Sequence, residues 1–236
     1  MNELKTIVTR VFTISLITAI PCALLLIVYF ATSPRIANYH EIKLKKSVLD
    51  IFEIPYKVQE KQLIGFTFST PDKEDIKRVF EKNITVEDLP QTDISDQPMR
   101  GLHKDKKEKK LFRYYKEGNL EGTGFVVTKF GYGFNKAADI SLFLCVAPDK
   151  ETIKGIEVLD HAETPGLGGR MTDDEFKRQF VGKSVKPKLS FVRGRESVGN
   201  NEVHAITGAS YTSKGLEEMI NEAMETFWQE IEAMRE

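Results

Sequence analysis

The residues best placed to do chemistry stand where a strand-like run gives way to the last helical stretch: Ala205-Ile-Thr-Gly-Ala-Ser-Tyr-Thr-Ser-Lys214. Thr207, Ser210, Thr212 and Ser213 offer hydroxyls around Gly208 and Ala209, directly before an apolar stripe of helical period. A helix start presents unpaired N–H groups and the positive end of the macrodipole, both suited to an anionic phosphate. The same hydroxyls serve equally well as helix caps, and spacing alone favours that plainer role. A second segment, Asp160-His-Ala-Glu-Thr-Pro-Gly-Leu-Gly-Gly169, joins the carboxylate of Glu163 and the hydroxyl of Thr164 to a Pro165-Gly166 turn. Gly166 and Gly168 there permit close backbone approach. A third, Gly131-Tyr132-Gly133, precedes the apolar run DISLFLCV.

Several chemistries are set aside at once. A hydrolase using Ser210 or Ser213 with His204 lacks a recognisable nucleophile motif and an acidic partner. The chain has two cysteines, Cys22 in an apolar run and Cys145 in a strand-like one, so no internal disulfide is expected. An iron–sulfur cluster needs about four such ligands. Cys145 reads as core, and His161 as a neighbour of its loop rather than a proton donor. No metal site is expected. A formal net charge of -1 gives no electrostatic reason for nucleic acid as a partner.

The elements that must position these groups begin with VFTISLITAIPCALLLIVYFA, residues 11–31, which carries no charge between Arg10 and Arg35. At about 1.5 Å per residue it reaches about 30 Å, the thickness of a bilayer's hydrocarbon core. It reads as a transmembrane anchor, kinked at Pro21. A cleaved signal is the rival, but its apolar core would be shorter, and the small-residue site Ala31-Thr32-Ser33 is followed by Pro34. Lys5 and Arg10 before the run face Arg35, Lys43, Lys45 and Lys46 after it, so charge leaves the orientation open.

Beyond the anchor, helical spacing is expected over 36–54 up to Pro55 and over 73–82 after Pro71. Residues 83–110, with Pro90, Pro98, Gly101 and the run KDKKEKK, read as a polar, solvated loop. From Leu111 the runs LFRYYKE, GFVVTKF, DISLFLCVA and TIKGIEVLD read as strands. A capped helix is expected at 172–181, strands near 188–193 and 202–206, and a long closing helix with Leu216, Met219, Ile220, Ala223, Met224, Phe227, Trp228 and Ile231 on one stripe. Grouped strands flanked by helices argue an α+β fold: an antiparallel-rich sheet with packed helices, preceded by one transmembrane helix. The expected organisation is an anchor at 11–31, juxtamembrane helices and a polar insertion at 32–110, and a folded domain at 111–236.

The run Thr207-Gly-Ala-Ser-Tyr-Thr212 resembles the flavinylation motif of FMN-binding domains, with Thr207 standing where Ser or Asp is usual. Glu163-Thr-Pro-Gly-Leu-Gly168 is similar to a segment shared by the G subunit of Rnf complexes and the C subunit of sodium-pumping NADH:quinone reductases. Gly131-Tyr-Gly133 resembles a stretch of the same proteins, and the order of the three agrees. The resemblance covers the anchor and roughly residues 120–230. It implies one FMN, its phosphate esterified to Thr212 by a separate flavin transferase. It further implies that Thr207, Gly208, Ala209, Ser210, Tyr211 and Ser213 surround the attachment. Glu163, Thr164, Pro165, Gly166, Leu167 and Gly168, with Tyr132, are expected to meet the flavin, Glu163 and Thr164 through ring or ribityl oxygens.

The implied role is redox relay: a covalent-FMN electron carrier within a membrane ion-translocating oxidoreductase complex, of Rnf type, moving electrons between ferredoxin and NAD. The expected partners are the other membrane subunits and the maturing transferase, and the bulk of the chain is placed outside the cytoplasm. The alternative within the family is the C subunit of the NADH:quinone reductase. Outside it stands a membrane-anchored binding or assembly module without flavin, in which the hydroxyls only cap a helix.

Overall fold

The structure is a computed structural model and describes residues 2–63, 66–88, 110–194 and 199–233. Two compact units divide the chain, residues 1–43 and 44–236.

The first unit is helical throughout. It is the greater part of α1 (Asn2–Ile51), which runs through Pro21 and Pro34 without ending. From Ile7 to Ile36 its large apolar side chains are exposed all round, Leu25 and Phe30 at 70% and 71%, as expected of a helix whose solvent is lipid. The Thr9, Thr13 and Thr32 hydroxyls donate to the carbonyls of Lys5, Thr9 and Val28 at 2.8–2.9 Å, which satisfies them without water. Among the described residues, this is the one helix long and apolar enough to cross a membrane.

The second unit starts with the last turns of α1. There follow a two-stranded antiparallel hairpin of β1 (Val58–Leu63) and β2 (Phe66–Pro71), then α2 (Lys73–Asn83). Asp72 caps α2 by accepting from the amides of Glu74 and Asp75 at 3.0 and 3.3 Å. The main sheet is an antiparallel meander in chain order: β3 (Ile84–Asp88), β4 (Lys110–Lys116), β5 (Asn119–Phe130), β6 (Asp139–Val146) and β7 (Ile153–His161). A 3-10 turn (Gly168–Thr172), α3 (Asp174–Arg178), and the short parallel pair β8 (Ser190–Val192) and β9 (Glu202–His204) lead to α4 (Ser210–Ala233).

Both faces of the sheet are covered, which is why β6 is buried at every position from Ile140 to Val146. Leu142 and Leu144 join the cluster that holds Leu216, Met219, Ile220 and Met224 of α4. Phe125 of β5 stacks on Phe227 of α4, ring centroids 4.2 Å apart. On the other face, Phe143 meets Phe112 edge-on, and Phe112 meets Phe80 of α2. Val48 and Leu49, at the end of α1, are fully buried, and Phe52 lies 5.0 Å from Tyr114. Cys145 is buried too, and desolvation pushes its thiol up to about 12, as fits a core position.

Two expectations are corrected, and one element is new. Residues 84–88 are an edge strand, not loop: Val86 pairs with Phe112, while Ile84 is the buried residue of that strand. The rest of the expected polar insertion, 89–109, lies outside the described residues. The helix expected over 172–181 is α3 alone, because a 3-10 turn occupies its start and Asp173 forms no side-chain cap. The hairpin of β1 and β2 has no counterpart in the sequence pattern; VQEKQL has no apolar face, and its exposure at Val58 (55%) shows why none was needed.

Candidate functional site

Three loops converge on the first turn of α4. The turn after β5 presents Gly131-Tyr132-Gly133, the segment after β7 presents Glu163 to Gly168, and the residues before α4 present Thr207 to Ala209. The helix they surround must stay close to them. A Cβ on Gly215 would stand 1.5 Å from the Tyr132 carbonyl oxygen, so only glycine lets the 131–133 turn lie against α4. Tyr132 adds a strut from its ring end. Its hydroxyl donates to Glu222 Oε2 at 2.6 Å, and that hydrogen bond, followed by burial and the charges of Glu222 and Glu218, pushes the phenol up to about 12.

At the centre, Thr212 donates its hydroxyl to Glu163 Oε2 at 2.5 Å, and both side chains are buried, at 1% and 7% exposure. The other carboxylate oxygen, Oε1, accepts the Asn135 N–H at 3.0 Å. The Glu163 N–H donates to His161 Nδ1 at 3.0 Å, which ties the Glu163 backbone to the end of β7. Burial alone would raise the Glu163 pKa. The hydrogen bonds from Thr212 and from the amides of Asn135 and Phe134, with His161 nearby, outweigh it and hold the carboxyl below its ordinary 4.5. Two glycines make room for this arrangement. A Cβ on Gly133 would fall 2.2 Å from Oε1, and one on Gly168 would fall 2.2 Å from Oε2 and 2.6 Å from Thr212 Oγ1.

The 164–169 segment closes over the site as a compact turn: the Thr164 carbonyl accepts the amides of Leu167 and Gly169 at 3.2 and 3.0 Å. Gly166 takes φ +76°, the conformation this turn requires. Thr164, Pro165, Gly166 and Leu167 are exposed. Leu167 reaches over Gly208, where an added Cβ would lie 3.5 Å from Leu167 Cδ2. Outside the turn, Phe134 and Tyr211 are 67% and 66% exposed, with ring centroids 6.1 Å apart. With Leu167 they form an apolar rim beside the buried Thr212.

The hydroxyls of the 207–213 run divide by role. Ser213 is spent on the backbone, accepting the Ile206 N–H and donating to the Ala209 carbonyl, each at 2.9 Å. Its own amide is bonded to Ala209 O, which leaves the amides of Ser210, Tyr211 and Thr212 in the unpaired first turn. Thr207, Gly208 and Ser210 line a cavity of about 240 Å³ together with Arg193 and His204. Ala209 is buried against the core. Phe134, Asn135 and Gly215 are not among the residues expected from sequence. The signal for Gly215 is its place within an otherwise strong helical stripe; Phe134 and Asn135 carry none.

The arrangement joins a hydroxyl hydrogen-bonded to an ionised carboxylate, helix amides that favour an anion, and an exposed aromatic rim. It combines the features of an activated hydroxyl with those of an anion-binding helix start beside apolar surface.

Residues 133–225 match the model of the FMN-binding domain. The G subunit of the Na(+)-translocating ferredoxin:NAD(+) oxidoreductase complex of Acetobacterium woodii is 30% identical over 151 residues, spanning 64% of this chain and 71% of that protein. The G subunit of the ion-translocating oxidoreductase complex of Methanosarcina acetivorans is 30% identical over 168 residues, spanning 69% and 84%. In fold, the chain is similar to the crystal structure of Shewanella oneidensis NqrC, with a TM-score of 0.57, 21% identity, and coverage of 81% of this chain and 97% of that one. The chain belongs to the family of G subunits of ion-translocating oxidoreductase complexes.

Proposed function

We propose that this chain is the FMN-bearing electron carrier of a membrane ion-translocating oxidoreductase of Rnf type, and that its single FMN is esterified to Thr212. The observation that supports this most is the Thr212–Glu163 pair at the meeting point of the three motif-bearing loops. The residues present fit the group. Thr212 supplies the ester oxygen, and the free amides at the start of α4 favour the phosphate charge. Gly168 lies directly against Oγ1, where a Cβ would fall 2.6 Å from it, and Phe134, Tyr211 and Leu167 offer apolar surface to an aromatic ring system. Because Thr212 is 1% exposed, the ester requires the Leu167–Gly168 part of the turn to lift from over the hydroxyl. FMN supplies the one- and two-electron chemistry when bound. The chain's own contribution is to fix it to one helix and to exclude water from the attachment.

On this reading residues 11–31 anchor the chain in the membrane, and residues 111–236 carry the flavin within the compact unit 44–236, held on the extracytoplasmic side. The other membrane subunits exchange electrons with it, and a flavin transferase loads it. The test is a denaturing gel of the full chain coexpressed with a flavin transferase, viewed under ultraviolet light beside Thr212→Val. The expected result is a fluorescent wild-type band and a dark variant. Two dark bands beside a labelled control acceptor overturn the reading.

A further inference from the structure

We propose that Glu163 is the proton acceptor in the attachment of flavin to Thr212, so that the acceptor domain supplies a catalytic group for its own modification. The proposal rests on Thr212 being the attachment site.

The geometry is that of an activated hydroxyl nucleophile. Thr212 Oγ1 donates to Glu163 Oε2 at 2.5 Å. Asn135 N–H at 3.0 Å on Oε1 fixes the carboxylate from its other side, and His161 Nδ1 holds the Glu163 backbone. Nucleophile, base and orienting group are thus all present on this chain before any partner arrives. The titratable group facing Glu163 is His161 on its own strand end; the 131–135 turn and α4 face it with amides and the Thr212 hydroxyl.

Charge argues the same way. A carboxylate is the wrong sign to hold a finished phosphodiester, since two anions at this distance repel. Before the bond forms, the same carboxylate is the right group to take the hydroxyl proton. Its position is explained by the making of the ester better than by the keeping of it.

The step balances as follows. Joining FMN itself to threonine would require hydroxide as the leaving group, so the donor must carry its flavin phosphate in a pyrophosphate, as in a flavin dinucleotide. Thr212 Oγ1 forms a bond to the flavin-side phosphorus. The phosphorus bond to the bridging oxygen breaks, and the nucleoside monophosphate leaves with the electron pair. The threonine proton passes to Glu163 Oε2 and then to solvent. Nothing is oxidised or reduced.

The experiment uses the detergent-solubilised full chain, a purified flavin transferase and flavin dinucleotide, and reads the initial rate of covalent labelling against pH. Glu163→Gln is expected to slow labelling by about 10²–10⁴-fold, the range for loss of a general base. Its remaining rate should rise with pH where that of the wild type is flat, and Glu163→Asp should recover part of the rate. A melting curve of each variant accompanies the rates, and Glu163→Asp carries the test if Glu163→Gln does not fold. Labelling of Glu163→Gln within threefold of the wild type overturns the proposal. A slowed variant with the wild-type pH profile and no recovery in Glu163→Asp also overturns it, since that is the mark of a structural role. An unlabelled wild type beside a labelled control acceptor instead removes the attachment reading, and this step with it.

Discussion

Replacing Gly215 by alanine sets two effects of opposite sign against each other. Gly215 lies inside α4, where glycine is about 1 kcal/mol worse than alanine, so propensity alone predicts that Gly215→Ala stabilises the protein. The structure predicts the reverse. An added Cβ would sit 1.5 Å from the Tyr132 carbonyl oxygen and 2.6 Å from its carbon, where ordinary contact begins at 3.4 Å. The obstacle is backbone, so no rotamer change relieves it; either the 131–133 turn or the start of α4 must move by more than 1 Å. Overpacking of this kind costs about 3 kcal/mol at the upper end of its usual range. Subtracting the propensity gain leaves a net loss of about 2 kcal/mol. For a unit of this size that lowers Tm by about 4–8 °C. The assay is a thermal melt of the detergent-solubilised chain, with flavin labelling as a second reading, since the displaced turn also carries the Asn135 amide to Glu163. An unchanged or raised Tm refutes the close approach of the 131–133 turn to α4.

Three further outcomes are expected. Because the Glu163 pKa is lowered on folding, its contribution to stability is complete above its ordinary 4.5 and is lost as pH falls through the folded value; Glu163→Gln should flatten that acid limb in melts taken from pH 7 downward. Phe227→Ala removes a ring that is 2% exposed and stacked on Phe125, and should cost about 3–5 kcal/mol in denaturant titration. Phe134→Ala and Tyr211→Ala, at 67% and 66% exposure, should each change stability by less than about 0.5 kcal/mol, yet shift the fluorescence yield of the attached flavin if the rim contacts it.

What the sequence disclosed follows the strength of its patterns. The strands β4 to β7 and helix α4 are long and apolar at a clear period, and they lie where that period places them. The strand β3 escapes such reading because an edge strand with a single buried residue, Ile84, offers no alternation. The hairpin of β1 and β2 escapes it for the same reason, with Val58 and Phe66 both exposed. The expected anchor at 11–31 and the expected helix over 36–54 are one element, because α1 continues past both of its prolines to Ile51. At the site, each motif is visible alone, but the pairing of Thr212 with Glu163 is not. It joins residues 49 apart in sequence, which meet only where the segment after β7 lies against the first turn of α4. Asn135 acts through its backbone amide, which no residue type signals.

The central claim is tested most directly by the mass of the full chain coexpressed with a flavin transferase, followed by peptide mapping. The expected result is an increase equal to one FMN less one water, carried by the peptide that contains Thr212 and lost in Thr212→Val. An unmodified Thr212, or a flavin found on Thr207, Ser210 or Ser213 instead, contradicts the account.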